Sequence, residues 1–417
     1  MKKEINKFLY FYRFLATVDI LNIPKLRFKE FTDEWVYYKY KDIFNLNQGL
    51  QIPITERFLD YAPNRFFYIT NEFLKPSSKK SYYIENPSPN VICTKEDILM
   101  TRTGNTGKVI TNIAGVFHNN FFRIKYNPKN FNKDFICCIL NQNKIQNKIL
   151  TLAGSSTIPD LNHKDFYSIK SRFPKLKEQE KIAKFINTVD KKIENIENTI
   201  SSLENQKKGL LQQIFSQKLR FKDENGNNYP NWEKKKLGDI CKFTGGGTPS
   251  TSILKYWNGT IPWISSSDLQ TNTIHKIKIS RYITNEAVSN SSTKIIPKNS
   301  ILIVSRVGVG KVAISNCVLC TSQDFTNITE INGNTTFYAY LLKYKMEQLT
   351  QNTQGTSIKG ITTSDIKNIK LIVPIEQTEQ TKIADFLSAF DRKLDNQKAQ
   401  LEHWQQIKKG LLQQMFV

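Results

Sequence analysis

Glu178-Gln-Glu-Lys-Ile182-Ala-Lys-Phe185, running on to Lys207-Lys-Gly-Leu-Leu-Gln-Gln-Ile-Phe215, is a stretch that the chain carries twice. The second copy is Glu379-Gln-Thr-Lys-Ile383-Ala-Asp-Phe386, running on to Lys408-Lys-Gly-Leu-Leu-Gln-Gln-Met-Phe416. Both ends stand 201 residues apart, so nothing is inserted or lost between them, as a continuous helix requires. Apolar residues step by threes and fours through Ile182, Ile186, Val189, Ile193, Ile196, Ile200, Leu203, Leu210 and Ile214, with Lys207 as the polar entry. The second copy reads Ile383, Leu387, Phe390, Leu394, Leu401, Trp404, Leu411 and Met415, interrupted by Gln397 and Lys408. This is a heptad seam, and it predicts packing against another helix. A helix of about forty residues spans roughly 60 Å, too long for the interior of an ordinary domain. Each copy therefore reads as a spacer, and its natural partner is the other copy.

Working outward, the repeat widens. Lys25-Leu-Arg-Phe28 is echoed by Lys218-Leu-Arg-Phe221, and Trp35…Asp42-Ile43 by Trp232…Asp239-Ile240. Each unit runs from a polar link, through a globular domain, to a long helix. The boundaries read as an extension at 1–23, a first domain at 24–175, a helix at 176–217, a second domain at 218–375 and a helix at 376–417. Residues 1–23 are apolar and aromatic and have no counterpart in the second half. The globular parts are short β-branched and aromatic runs separated by Gly, Pro, Asn and Ser turns, so the expected class is α+β. One helix per domain is expected after the strands, over Lys133 to Leu150 and Thr336 to Gln351. The middles of the two domains differ in sequence while their edges match, which suggests two readers with different targets.

Composition narrows the partner. The 417 residues carry a formal charge of +23, and a polyanion is the expected ligand for such a surface. The six cysteines lack the paired spacing of a zinc site or a disulfide framework, and no apolar run reaches the ~20 residues that span a bilayer. A cytoplasmic location with no membrane contact is expected.

Catalytic motifs fail on spacing. Gly104-Asn-Thr-Gly-Lys108 lacks the four residues between glycines of a phosphate-binding loop, and Val109 stands where Ser or Thr is needed. Phe243-Thr-Gly-Gly-Gly247 matches a Phe-x-Gly-x-Gly signature, but no Asn-Pro-Pro-Tyr-like motif follows it. The four histidines sit in no triad or metal spacing, and Asp160 lacks the second carboxylate of a nuclease core. Binding chemistry remains. Arg takes guanine in bidentate fashion, Asn or Gln takes adenine, and Lys positions on phosphate. The turns Arg102-Thr-Gly-Asn-Thr-Gly-Lys108 and Arg306-Val-Gly-Val-Gly-Lys311 look related, and each brings such groups to flexible backbone. The candidate DNA contacts are Gln48, Gln51, Arg102, Thr103, Asn105, Lys108, Ser155 and Ser156 in the first domain. In the second they are Thr248, Ser250, Ser265, Ser267, Asp268, Arg306, Lys311, Thr356, Ser357 and Lys359.

Two unlike domains alternating with two near-identical helices, together with Glu-Gln-x-Lys-Ile-Ala-x-Phe, Lys-Lys-Gly-Leu-Leu-Gln-Gln and Gly-Gly-Thr-Pro-Ser…Ile-Pro-Trp, resemble the DNA-specificity subunit of type I restriction–modification systems, in the form found in staphylococci. The resemblance covers about residues 24–417. It implies two target recognition domains separated by two long antiparallel coiled-coil helices, related by a pseudo-two-fold axis. It also implies a non-catalytic subunit that binds double-stranded DNA and recruits two modification and two restriction subunits. S-adenosylmethionine, ATP and magnesium then belong to those partners, and this chain holds no cofactor. A two-fold reader places half-sites about one helical turn apart, ~34 Å. Unlike readers imply a bipartite, asymmetric target with a non-specific gap. Two other classes stay open on the residues alone: a specificity module of a fused nuclease-methyltransferase, and a coiled-coil adaptor that binds nucleic acid without sequence preference.

Overall fold

A computed structural model describes residues 23–75, 80–154, 158–351 and 360–416. The extension up to residue 22 and the candidates Ser155, Ser156, Thr356, Ser357 and Lys359 lie outside these residues. The chain divides into two compact units. One is formed by residues up to Ile196 together with the segment from Gln400 onward; the other is Glu197–Ala399.

The two domains share one topology despite their differing middles. In the first, an antiparallel sheet runs in the order Phe44–Gln48, Phe121–Tyr126, Ile98–Thr101 and Val109–Ile110. A second sheet runs Tyr83–Glu85, Arg65–Ile69, Gly115–Phe117 and Ile92–Cys93, with one parallel pairing. The second domain repeats both sheets in the same order. They are Cys241–Gly245, Phe325–Ile331, Ile301–Val304 and Val312–Ile314, then Arg281–Ile283, Ile261–Ile264, Leu319–Thr321 and Ile295–Ile296. Each domain closes with a two-stranded ribbon where the chain enters and leaves, Val36–Lys39 with Lys170–Phe173 and Glu233–Lys236 with Lys370–Val373.

The helix expected over Lys133 to Leu150 is two helices, Lys133–Leu140 and Asn143–Ala153. The break falls at Asn141-Gln142, where Gln142 is extended and the Gln146 side chain takes up the Leu140 carbonyl at 2.6 Å. Its counterpart in the second domain, Thr335–Gln351, is unbroken.

The long helices are Leu176–Phe215 and Gln377–Gln414. In the second unit Lys207 pairs with Asp391 while Glu204 meets Lys398 at 2.7 Å, so the two helix segments run antiparallel there. In the first unit Asp190 meets Lys408 at 2.6 Å, and Ile182 and Ile186 share a core with Leu411 and Met415. The two lysines that interrupt the heptad seam, Lys207 and Lys408, are thus ion-pairing positions, whereas the third interruption, Gln397, carries no charge. Among the seam residues named from sequence, Ile186, Val189, Ile196, Leu203, Leu387 and Leu394 are buried; Ile193, Ile200, Phe390, Leu401 and Trp404 are half-buried.

A carboxylate at the start of each long helix fastens the repeat. Glu178 accepts from Arg27 at 2.7 and 2.8 Å and from the Trp35 indole at 3.4 Å. Glu379 accepts from Arg220 at 2.9 and 3.1 Å and from the Trp232 indole at 3.1 Å. The echoed link residues then tie to a helix end: the Leu26 amide donates to the Gln414 carbonyl at 2.8 Å, and the Leu219 amide to Gln213 at 3.0 Å. The first unit therefore takes its helix end from the far end of the chain. Removing Arg220 leaves a buried carboxylate held by one indole. Arg220→Ala is expected to cost about 2 kcal/mol in urea unfolding. A loss below about 0.5 kcal/mol would mean that the clasp contributes nothing.

Candidate nucleic-acid interface

In the first domain, five loop segments are fastened to one another at one edge. The Gly49 amide donates to Phe121 O at 3.1 Å and the Leu50 amide to Phe117 O at 3.1 Å. A Cβ on Gly49 would lie 2.2 Å from Phe117 O, so only glycine permits this approach. Asn119 donates to the Gln51 side chain at 3.1 Å, and Asn71 to the Thr103 carbonyl at 2.9 Å. The Arg102 amide donates to Asn120 O at 2.7 Å, the Leu161 amide to Arg102 O at 3.0 Å, and the Thr106 hydroxyl to Pro159 O at 2.7 Å. Gln48, Gln51, Asn105 and Lys108 are exposed here, and Thr103 is half-buried.

Arg102 faces Asp160 side-on, with Nε at 3.0 Å from one carboxylate oxygen and Nη2 at 2.5 Å from the other. The Thr103 hydroxyl also donates to Asp160. The Arg102 hydrogen bonds hold the Asp160 carboxyl below the usual carboxylate range. Asp160 is therefore no isolated surface acid, as its sequence context suggests, but the organiser of this turn.

The second domain gathers the same frame. The Gly247 amide donates to Thr321 O at 2.8 Å, and the Ser305 amide to Asp324 O at 2.8 Å. The Ile361 amide donates to Ser305 O at 2.7 Å, and the Thr248 hydroxyl to Gln323. Lys311 Nζ donates to the Ser266 carbonyl at 2.8 Å. Asp268 is buried, receives Arg281 and the Ser265 amide, and so holds its own loop; Ser250 and Ser267 are exposed. Gly246 and Gly247 serve packing: a Cβ on Gly246 would lie 2.0 Å from Ser322 O, and one on Gly247 2.5 Å from Ser292. Of the two glycines of the Phe-x-Gly-x-Gly match, Gly247 is thus held by packing, whereas a Cβ on Gly245 would meet nothing within 4 Å. Trp263 is buried, with its indole donating to Gly247 O at 2.9 Å.

Hydrogen-bond register corrects the pairing of the two arginine turns. Gly107 N bonds Thr101 O as Gly310 N bonds Val304 O, and Thr101 N bonds Lys108 O as Val304 N bonds Lys311 O. Left-handed backbone falls at Gly104, Asn105 and Gly107 in one turn and at Gly308 and Gly310 in the other, so two of these positions coincide in this register. Arg102 is thus equivalent to Ser305, and Arg306 occupies the place of Thr103. The sequence alignment of Arg102 with Arg306 fails because the arginine stands one place later in the second turn, although both turns span the same number of residues. Arg306 is exposed and has no partner among the described residues. Asn71, Asn119, Asn120 and Gln323 escape the sequence reading, and Asp160 reads there only as an incomplete nuclease carboxylate, since each joins the cluster through another segment.

Two like-built α/β domains and two long antiparallel helices, with polar loops gathered at one edge of each domain, define the architectural class of this chain. Residues 32–205 and 229–403 match the family described as Type I restriction modification DNA specificity domain, and the chain belongs to that family. It is 36% identical over 208 residues to the type I restriction enzyme MjaIX specificity subunit of Methanocaldococcus jannaschii, covering 49% of this chain and 48% of that one. The chain thus spans about half the length of that curated relative. It is 22% identical over 404 residues to the MjaVIII specificity subunit of the same organism, covering 91% of each. In fold it matches the crystal structure of the type I restriction-modification S subunit from M. genitalium, with a TM-score of 0.61 at 17% identity over 95% of this chain and 99% of that one. Among the described residues no helix is long and apolar enough to cross a membrane.

Proposed function

We propose that this chain is the DNA-specificity subunit of a type I restriction–modification complex, reading a bipartite, asymmetric target with one half per domain. The observation that carries this is one loop-bearing frame built twice with different side chains: Gln51, Arg102, Asn119 and Asp160 in one copy, Thr248, Ser305, Arg306 and Gln323 in the other. A non-specific adaptor has no use for two contents on one frame. The subunit is non-catalytic. It works in the cytoplasm and recruits two modification and two restriction subunits, which bring S-adenosylmethionine, ATP and magnesium. The exposed Gln48, Asn105, Lys108, Ser250, Ser267 and Arg306 are the first residues to test as DNA contacts.

Mapping methylated sites in cells that carry this chain with its modification partner is the direct test. One asymmetric two-part motif is the expected result; methylation without a motif, or a single contiguous site, would overturn the reading. Competition against random duplex separates a reader from an adaptor, because an adaptor shows only the salt-dependent phosphate component. Arg306→Ala is expected to weaken target binding about tenfold at moderate salt, within the range of one lost bidentate contact. Unchanged affinity would remove that turn from the interface.

A further inference from the structure

The Arg102–Asp160 pair exists in one domain only. Its counterparts in the second are Ser305 and Gly360, yet the same backbone bond is made there, Ile361 N to Ser305 O at 2.7 Å against Leu161 N to Arg102 O at 3.0 Å. The frame therefore closes without an ion pair, and holding the loops together does not explain it. We propose that Asp160 buttresses Arg102 as the reader of one guanine in the target half contacted by the first domain; this assignment rests on the DNA-reading function proposed above.

The geometry points to a base rather than a phosphate. Asp160 occupies the side edge of the guanidinium, taking Nε and one hydrogen of Nη2. The end-on edge, Nη1 with the second Nη2 hydrogen, has no partner among the described residues. Two parallel N–H donors at that spacing match the O6 and N7 acceptors of guanine in the major groove. The carboxylate offsets the arginine charge, which weakens its attraction for a phosphate but leaves both donors aimed. Thr103 donates to the same carboxylate, so the buttress is itself held. A side chain fixed before binding loses less rotamer freedom on contact than a free one. Asp160 is thus a positioning residue and Arg102 the contacting one. On the adjoining loops Asn119 donates to the Gln51 side chain and Asn71 to the Thr103 carbonyl, so these amides hold the loops around Arg102.

The test uses the full chain assembled with its modification partner. Duplexes carry the target, found by mapping methylated sites, with each base pair replaced in turn, and relative affinity is read by competition. Asp160→Ala is expected to lower the preference for guanine at one position of the first half about tenfold, in the range of a bidentate contact. Preferences in the second half and the salt slope stay unchanged. Arg102→Lys is expected to lose the same preference, because an ammonium cannot present two parallel donors. The assignment is overturned if no guanine preference in that half moves. It is also overturned if affinity for every duplex falls with a shallower salt slope, the sign of a phosphate contact. Loss of preference in both halves together with a lower melting temperature would make the pair structural, and overturns it equally. If the unaltered complex fails to prefer its target over random duplex, the DNA-reading function itself falls, and the assignment with it.

Discussion

Asp391→Ala is expected to cost the chain about 3–5 kcal/mol, the range for stripping a buried ion of its partner. Asp391 lies between the long helices of the second unit, where it meets Lys207; the two side chains are 6% and 7% exposed. The Tyr340 hydroxyl donates to its second oxygen at 2.7 Å, and His275 Nε2 stands 3.9 Å away. Burial pushes the His275 imidazole below its ordinary range, and an imidazole in either form brings no negative charge to replace the carboxylate. Without Asp391, the Lys207 side chain, 7% exposed, is left without its carboxylate. Lys343, already lowered to about 8 by burial and by Lys207, loses a favourable neighbour as well.

The repeat supplies the control. Asp190 and Lys408 form the equivalent pair in the first unit, at 2.6 Å, but stand 41% and 35% exposed. Asp190→Ala is therefore expected to cost about 1 kcal/mol or less. Replacing both partners of the buried pair, Lys207→Met with Asp391→Leu, removes charge and partner together and is expected to recover most of the loss. Equal costs for Asp391→Ala and Asp190→Ala in urea unfolding would show that burial does not govern these pairs. The difference between them traces to one side chain. Asn132 and Asn334 cap equivalent helices, each accepting from a phenylalanine amide at 3.0 Å. Six residues on, the first domain has Cys138 and the second Tyr340, whose ring and hydroxyl cover the second pair.

Exchange of residues 35–175 for another domain of the same family is expected to change one half of the target completely and leave the other half as it was. The chain enters and leaves this domain on paired strands, with Val36 opposite Phe173, so both cuts fall side by side. The domain core centres on Phe44, Phe122, Phe135 and Phe166 and shares Ile182, Ile186, Met415 and Phe416 from the helices. Phe135 stacks on Phe416 at 5.3 Å, and the Trp35 ring meets Phe416 edge-on at 6.1 Å. A graft must therefore keep a tryptophan at 35 and an aromatic residue at 135. Losing the latter would cost about 3 kcal/mol or more and confuse misfolding with altered reading. Methylated-site mapping on the exchanged chain measures the result. A change in both halves, or in neither, would break the assignment of one half to one domain.

The helices were legible because a 3.5-residue period is a local property, visible in Ile182, Ile186, Val189 and Ile193 without any partner. The link-domain-helix repeat was legible for the same reason, since Trp35 and Trp232 stand at equivalent places in the string. The helix break at Asn141 was less so, because no Pro or Gly marks it and the Gln146 side chain that takes up the Leu140 carbonyl, though only six residues on, belongs to no recognisable turn motif. The candidate interface was legible as a set of turn residues, but not as an assembly. Arg102 and Lys108 stood out by type, whereas Asp160 did not, because what gives it a role lies 58 residues away.

The sequence by itself determined that this protein is a doubled unit with two long helices and two unlike heads, because periodicity and repetition need no third dimension. Only the tertiary structure decided which residues of the two heads correspond. Two turns of equal length, in which the arginine stands one place later in the second, are aligned by their hydrogen bonds and not by their letters. It also decided that the polar breaks in the helical seam, Lys207 and Lys408, are ion-pairing sites, since a charge is tolerated between packed helices only where its partner arrives from elsewhere in the chain.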